Sequence, residues 1–141
     1  MNSTEAELAK RIYTEGAQKL FEGVFNWASD NFDALLLPSS YAFDGTDVFI
    51  SDLGTVLKRV ALAGKTNADG VLDATDPTFS AVPVGTVGSL VIAKNTGADG
   101  TSPLFLFDDT VIGLPYPASG GDIILRWDDG VDKILRVPTT L

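Results

Sequence analysis

The chain has 141 residues, 45% of them apolar, enough for one domain with a sizeable core. Ten basic against 19 acidic residues give a net charge of −9, a surface that repels phosphate backbones and argues against a nucleic-acid partner. The absence of Cys and His excludes disulfides and thiolate metal sites, and with them the commonest general base and transition-metal ligand.

The first ten residues, MNSTEAELAK, are polar and acidic, unlike a secretory signal. No apolar run approaches the roughly 20 residues that span a bilayer, so no membrane partner is expected. A helix is predicted over 4–22. Thr4 and Glu7 match a capping box, and Leu8, Ile12, Leu20 and Val24 recur at roughly helical spacing, with Gly16 interrupting and Gly23 as the stop. Short strands follow. Residues 24–27 read as a strand, 29–31 as a turn, and 33–37 as a buried strand ended by Pro38. Residues 41–53 read as irregular, with one helical turn around 49–53, and 56–62 as a strand around Lys58 and Arg59.

Residues 67–70 form a turn into 71–74. Residues 86–94, 102–107, 122–127 and 133–137 are apolar strands bounded by Gly, Pro and Asp-Gly, the last ended by Pro138. The Asp-Gly pairs at 44-45, 69-70, 99-100 and 129-130 are the strongest local turn signals. The prediction is a mainly β protein: an antiparallel β-sandwich of about eight strands with one N-terminal α-helix. A partly closed barrel is the alternative. Residues 1–23 read as a helical arm, separable from a β-sandwich domain over 24–141.

Several groups invite a chemical reading. Asn67, Asp69, Asp73 and Asp76 share a loop of the kind calcium prefers, yet the spacing completes no EF-hand, and Asx-turn bonding explains them more simply. Asp128, Asp129 and Asp132 form a second acidic turn, for which a hairpin suffices. Asp108-Asp109 would point to opposite faces of a strand, leaving at least one in solvent. Gly85-Thr86-Val87-Gly88 and Ser119-Gly120-Gly121-Asp122 lack the strand-to-helix context and the Lys of a phosphate loop, so their glycines are assigned to turns or a bulge. Trp27 and Trp127 are predicted to point inward. Tyr41, Phe43 and Tyr116 lie in Pro- or Gly-flanked segments, and with Leu8 and Ile12 of the helix they are the candidate interface residues. No catalytic residue, metal ligand or cofactor site is predicted.

The order of short motifs is more specific than any one of them. Phe21-Glu22-Gly23, Phe25-Asn26-Trp27, Ser29-Asp30, Ala34-Leu35-Leu36-Leu37 and Ser39-Ser40-Tyr41 come first. Leu62-Ala63-Gly64-Lys65-Thr66, Gly85-Thr86-Val87-Gly88, Leu90-Val91-Ile92, Lys94-Asn95-Thr96-Gly97 and Ser102-Pro103-Leu104 follow, then Gly120-Gly121-Asp122 and Trp127-Asp128. This series, over residues 15–137, resembles a group of small tailed-bacteriophage virion proteins described as structural, decoration or minor tail proteins. The chain departs from that pattern at Phe32-Asp33, where a charged residue is usual before the Ala-Leu-Leu strand, and in a shorter segment between Tyr41 and Lys65.

The resemblance implies a structural role with no catalytic residues. The leading expectation is a capsid cement or decoration protein, made in the host cytoplasm and docked on the outside of the head. Its partners would be the major capsid protein or other virion proteins, and copies of itself in a homo-oligomer such as a trimer. A tail, neck or fibre-attachment protein is the second expectation. A carbohydrate-binding module using Tyr41, Phe43 or Tyr116 is the third.

Overall fold

A computed structural model describes residues 10–128, 130 and 133–136. The predicted capping box at Thr4 and Glu7, the candidate Leu8, the acidic residues Asp129 and Asp132, and the stop at Pro138 lie outside the described residues. In chain order the elements are β1 (Lys10–Ile12), α1 (Thr14–Phe21), β2 (Phe32–Pro38), a 3-10 turn (Ile50–Leu53), β3 (Lys58–Ala61) and a second 3-10 turn (Ala68–Gly70). Then come β4 (Val71–Leu72), β5 (Thr78–Phe79), β6 (Gly85–Lys94), β7 (Leu104–Asp108), β8 (Tyr116–Ala118), β9 (Ile123–Ile124) and β10 (Leu135–Arg136). The described protein is mainly β, with antiparallel sheets and a single α-helix.

The central sheet runs β1-β7-β6-β2-β3, and β8 pairs with the first residues of β6. Phe32 to Leu37 are all buried, so β2 has no solvent face. That is why its sequence reads as a continuous apolar run instead of an alternating one. Phe32, Ala34, Leu36, Leu90, Ile92 and Leu106 belong to the larger core. The ribbons β4-β10 and β5-β9 and the turns around them supply the other half of it, including Phe79, Ile123, Leu125 and Trp127. Leu35, Leu37, Val91, Ala93 and Phe107 belong to a second cluster with Tyr13, Ile50 and Leu53. The 3-10 turn over 50–53 therefore serves as a lid on that face. The Asp52 carboxylate fixes its entry by accepting the Val48 and Phe49 amides at 3.0 and 2.9 Å.

Two bulges shape the sheet. Ile92 faces Leu106 and Ala93 faces Leu104, so Phe105 is the extra residue on β7. Leu37 faces Ser89 and Pro38 faces Val87, so Gly88 is the extra residue on β6. A Cβ at position 88 would lie 2.6 Å from the Ser39 Cα, a backbone atom that cannot rotate away, which is why glycine occupies the bulge.

Three expectations need correction. The predicted helix over 4–22 is, among the described residues, only Thr14–Phe21. Ile12 sits in β1 opposite Leu106 and packs against the larger core. The next residue, Tyr13, is fully buried and donates its amide to the Phe105 carbonyl at 3.2 Å. Residues 10–21 are thus part of the sheet and its packing, and removing 1–22 as an arm would strip an edge strand and a core ring. Residues 24–26 are irregular and lead into a turn over 27–29, not a strand: the Asp30 carboxylate accepts the Asn26 amide at 2.8 Å, and the Asn26 carbonyl accepts the Asp30 amide at 2.8 Å. The layer facing the larger core is two short ribbons with turns, so among the described residues the strands predicted at 122–127 and 133–137 shrink to two residues each.

Candidate functional site

The structure separates the predicted interface residues. Ile12 is on the larger core, and Tyr116 stands opposite Val87 of that same core with 39% of its surface exposed. Among the described candidates only Tyr41 and Phe43 come together, packed on the second cluster. The Phe43 ring centroid lies 5.0 Å from Tyr13 and 4.9 Å from Phe107, and the Arg11 guanidinium carbon sits 5.1 Å above it. Its faces are engaged inside the chain, which disfavours Phe43 as a sugar-stacking platform.

Tyr41 is oriented by a hydroxyl relay. It donates to the Asp47 carboxylate at 3.1 Å, and the two tyrosine hydroxyls are 2.9 Å apart. A carboxylate only accepts, so Tyr41 spends its proton on Asp47, and Tyr13 must be the donor between the rings. Burial, followed by that bond, raises the Tyr13 hydroxyl well above the ordinary phenol range. Desolvation and the like charges of Asp44 and Asp52 raise the Asp47 carboxyl, against the pull of the Tyr41 hydrogen bond.

Four buried side chains in the described residues are polar or charged: Asp33, Ser89, Ser102 and Asp108. Asp33 Oδ2 accepts from Arg59 Nε, Arg59 Nη2 and Asn95 Nδ2 at 2.9–3.2 Å, and Arg59 Nη1 reaches on to Asp99 at 2.8 Å. Ser102 donates to the Ala98 carbonyl and accepts from the Thr96 amide. Asp108 Oδ1 accepts the Thr110 amide and hydroxyl at 2.8 and 2.7 Å. The Ser89 hydroxyl makes no hydrogen bond among the described residues.

Desolvation raises the Asp108 carboxyl, opposed by the two Thr110 bonds and the Lys10 charge and reinforced by Asp109. A carboxyl raised by folding makes the native state hold a proton that the unfolded chain releases earlier. The contribution of Asp108 to stability is therefore fullest below about pH 4 and falls as pH rises through its folded value. Asp108→Asn keeps an acceptor for Thr110 and removes the buried charge. Denaturant titrations of both proteins should show the variant gaining on the wild type from acid to neutral pH. A variant that loses ground over that range would mean the ionised carboxylate stabilises the fold.

Of the surface grooves among the described residues, two carry aromatic walls. One, of about 320 Å³, is lined by Leu20, Phe25, Trp27, Phe32, Leu72 and Phe105. Around it the end of α1 exposes Phe21 at 88%, with Leu20 and Val24 at 37% and 36%. The spacing of Leu20 and Val24 flagged this stripe in the sequence, whereas Phe21 lies off it and carried no signal. The second groove, of about 290 Å³, opens beside the Gly88 bulge, where Ser39, Tyr41, Ser89, Phe107 and Asp109 meet.

Two of the acidic side chains hold backbone amides, Asp76 across the fold and Asp128 within its own turn. Asp76 Oδ1 accepts the Trp127 amide at 2.9 Å, and Asp128 Oδ1 accepts the Gly130 amide at 2.8 Å. Both indoles are buried and tie to the same segment: Trp27 Nε1 donates to the Asp73 carbonyl and Trp127 Nε1 to the Thr75 carbonyl, each at 3.2 Å. Among the described residues no three Asp or Glu side chains gather in metal-holding geometry, and no helix is long and apolar enough to cross a membrane. No protein-family model, curated protein or solved structure matches the chain. The resemblance to phage virion proteins therefore stands on the motif series alone.

Proposed function

We propose that this chain is a structural protein of a tailed-bacteriophage particle, a cement or decoration protein that docks on the outer surface of the assembled head. The motif series over 15–137 carries the virion assignment. The observation that supports docking is the apolar end of α1, where Leu20 lines a groove walled by aromatic side chains and the next residue, Phe21, is 88% exposed. Aromatic side chains left at a surface next to a groove are the usual anchors of a protein interface. The net charge of −9 keeps free copies apart and suits a surface turned away from packaged DNA.

Cement acts by linkage. A protein that binds the assembled lattice and not its loose subunits shifts the equilibrium toward the shell. A homo-oligomer with cyclic symmetry, a trimer at local three-fold positions, fits that arrangement. The test is the copy number per purified particle of the encoding phage, measured by quantitative mass spectrometry against the major shell protein. Stoichiometry comparable with the shell protein is expected. A handful of copies would move the chain to the tail, neck or a fibre base, and absence from the particle would overturn the virion reading.

A further inference from the structure

We propose that Asp69-Gly70 is a covalent modification site, where the folded chain rearranges through a cyclic imide to an isoaspartyl link. The Gly70 amide nitrogen attacks Asp69 Cγ while the carboxyl is protonated. The N–Cγ bond forms, and the amide proton and the carboxyl hydroxyl leave together as water. Water then adds back at either carbonyl of the imide. Breaking the N–Cγ bond restores aspartate, whereas breaking the bond from nitrogen to the Asp69 carbonyl carbon leaves the chain joined through Cγ. Nothing is oxidised or reduced, and both reacting atoms belong to this chain.

The sequence offers four Asp-Gly pairs, the pairing in which no side chain screens the attacking nitrogen. Three lie within the described residues, 44-45, 69-70 and 99-100, and the aspartate of each is exposed, so access does not separate them. Bonding does. Asp44 Oδ1 accepts the Thr46 amide and hydroxyl at 2.9 and 2.6 Å, and those bonds hold its carboxyl below the usual range, ionised and a poor electrophile. Its turn is tied across the fold by the Thr14 amide, which donates to the Gly45 carbonyl at 3.0 Å. Asp99 Oδ1 accepts from Arg59 Nη1 at 2.8 Å, and its carbonyl accepts the Ser51 amide at 3.2 Å. The Asp69 side chain makes no hydrogen bond or ion pair among the described residues.

The backbone is the second observation. Asp69 sits at φ 58 and ψ 29, left-handed geometry that is strained for a residue with a Cβ, while Asp44 and Asp99 are not at positive φ. Ring closure turns the peptide about the Asp69 Cα–C bond. At 69 that turn starts from a strained backbone and breaks no side-chain bond. At 44 or 99 it must first undo native bonds. The isoaspartyl product lengthens the main chain by one atom directly before β4, whose Leu72 packs against the larger core.

The reaction needs only water, so its test is independent of the virion assignment. Purified protein is held in warm, mildly acidic buffer beside a second sample unfolded in urea. Trypsin puts each Asp-Gly pair on its own peptide, and electron-transfer fragmentation tells the isoaspartyl from the aspartyl link. In the folded protein 69-70 should convert about fivefold or more faster than 44-45 and 99-100, the factor that one hydrogen bond supplies. In urea the three rates should come together. Asp69→Gly suits a positive φ, so it should fold and leave the peptide over 66–94 without isoaspartate. Equal rates in the folded protein would overturn the proposal. So would a lead for 69-70 that persists in urea, where local sequence alone sets the rate, or isoaspartate still found on that peptide in Asp69→Gly.

Discussion

Phe105→Ala should cost about 3–5 kcal/mol of folding stability, the range for truncating a buried aromatic ring. Phe105 is 2% exposed and is the extra residue of the β7 bulge. Its ring meets Phe25 at 5.3 Å, Phe32 at 6.3 Å and Trp27 at 6.5 Å, all in tilted arrangements that favour edge-to-face contact. Its carbonyl also takes the Tyr13 amide, so collapse around a cavity there is opposed by the seating of residues 12–16. Domains of this size hold about 5–15 kcal/mol in total, so the variant should keep little reserve. Urea unfolding at constant slope measures it. A loss under about 1 kcal/mol would mean the aromatic cluster is not the centre of the fold.

Gly16→Ala should destabilise the protein by about 1–3 kcal/mol, although helix propensity alone predicts the opposite sign. Position 16 lies inside α1, where alanine is favoured over glycine by about 1 kcal/mol. A Cβ there would lie 2.7 Å from the Leu104 carbonyl oxygen and 3.2 Å from that of Phe105. Both obstacles are backbone atoms of β7, held by its ladders to β1 and β6, so they cannot rotate aside. The steric term outweighs propensity. Thermal melting of Gly16→Ala beside the exposed control Gln18→Ala separates the two, and a stabilised Gly16→Ala would mean that α1 does not approach the strand this closely.

The legible parts of the fold are those where apolar runs carry their own punctuation. Strands β2, β6 and β7 were each marked by four or more apolar residues between turn formers, and the 3-10 turn over 50–53 was marked too. β1 was not legible because Leu8, Ile12 and Leu20 suit a helical stripe, while the strand's reason for existing is its pairing with Leu106 to Asp108, about a hundred residues away. β5 and β8 are two and three residues long, too short to show a period. Gly88 was assignable to a turn or a bulge from sequence. The orphan hydroxyl of Ser89 was not, since it depends on which groups of Pro38, Phe107 and Asp109 arrive next to it. Tyr41, singled out in the sequence as an interface candidate, is half-buried and lines the second groove. Phe43, 30 residues from Tyr13 and 64 from Phe107 in sequence, gave no sign that its faces would be filled.

The position of β1 has a consequence for how the chain is made. Among the described residues Lys10 to Ile12 pair with residues 106–108, and Tyr13 needs the Phe105 carbonyl. On the ribosome these early residues emerge long before their partner strand, and β2 likewise waits for β6. Loop closure over such distances makes folding slow, and a chain stalled before residue 104 carries a strand apolar on both faces with only part of its cover. Assembly of the native sheet thus waits until residues 104–108 have left the ribosome, and the interval before that is when the nascent protein is most prone to aggregate.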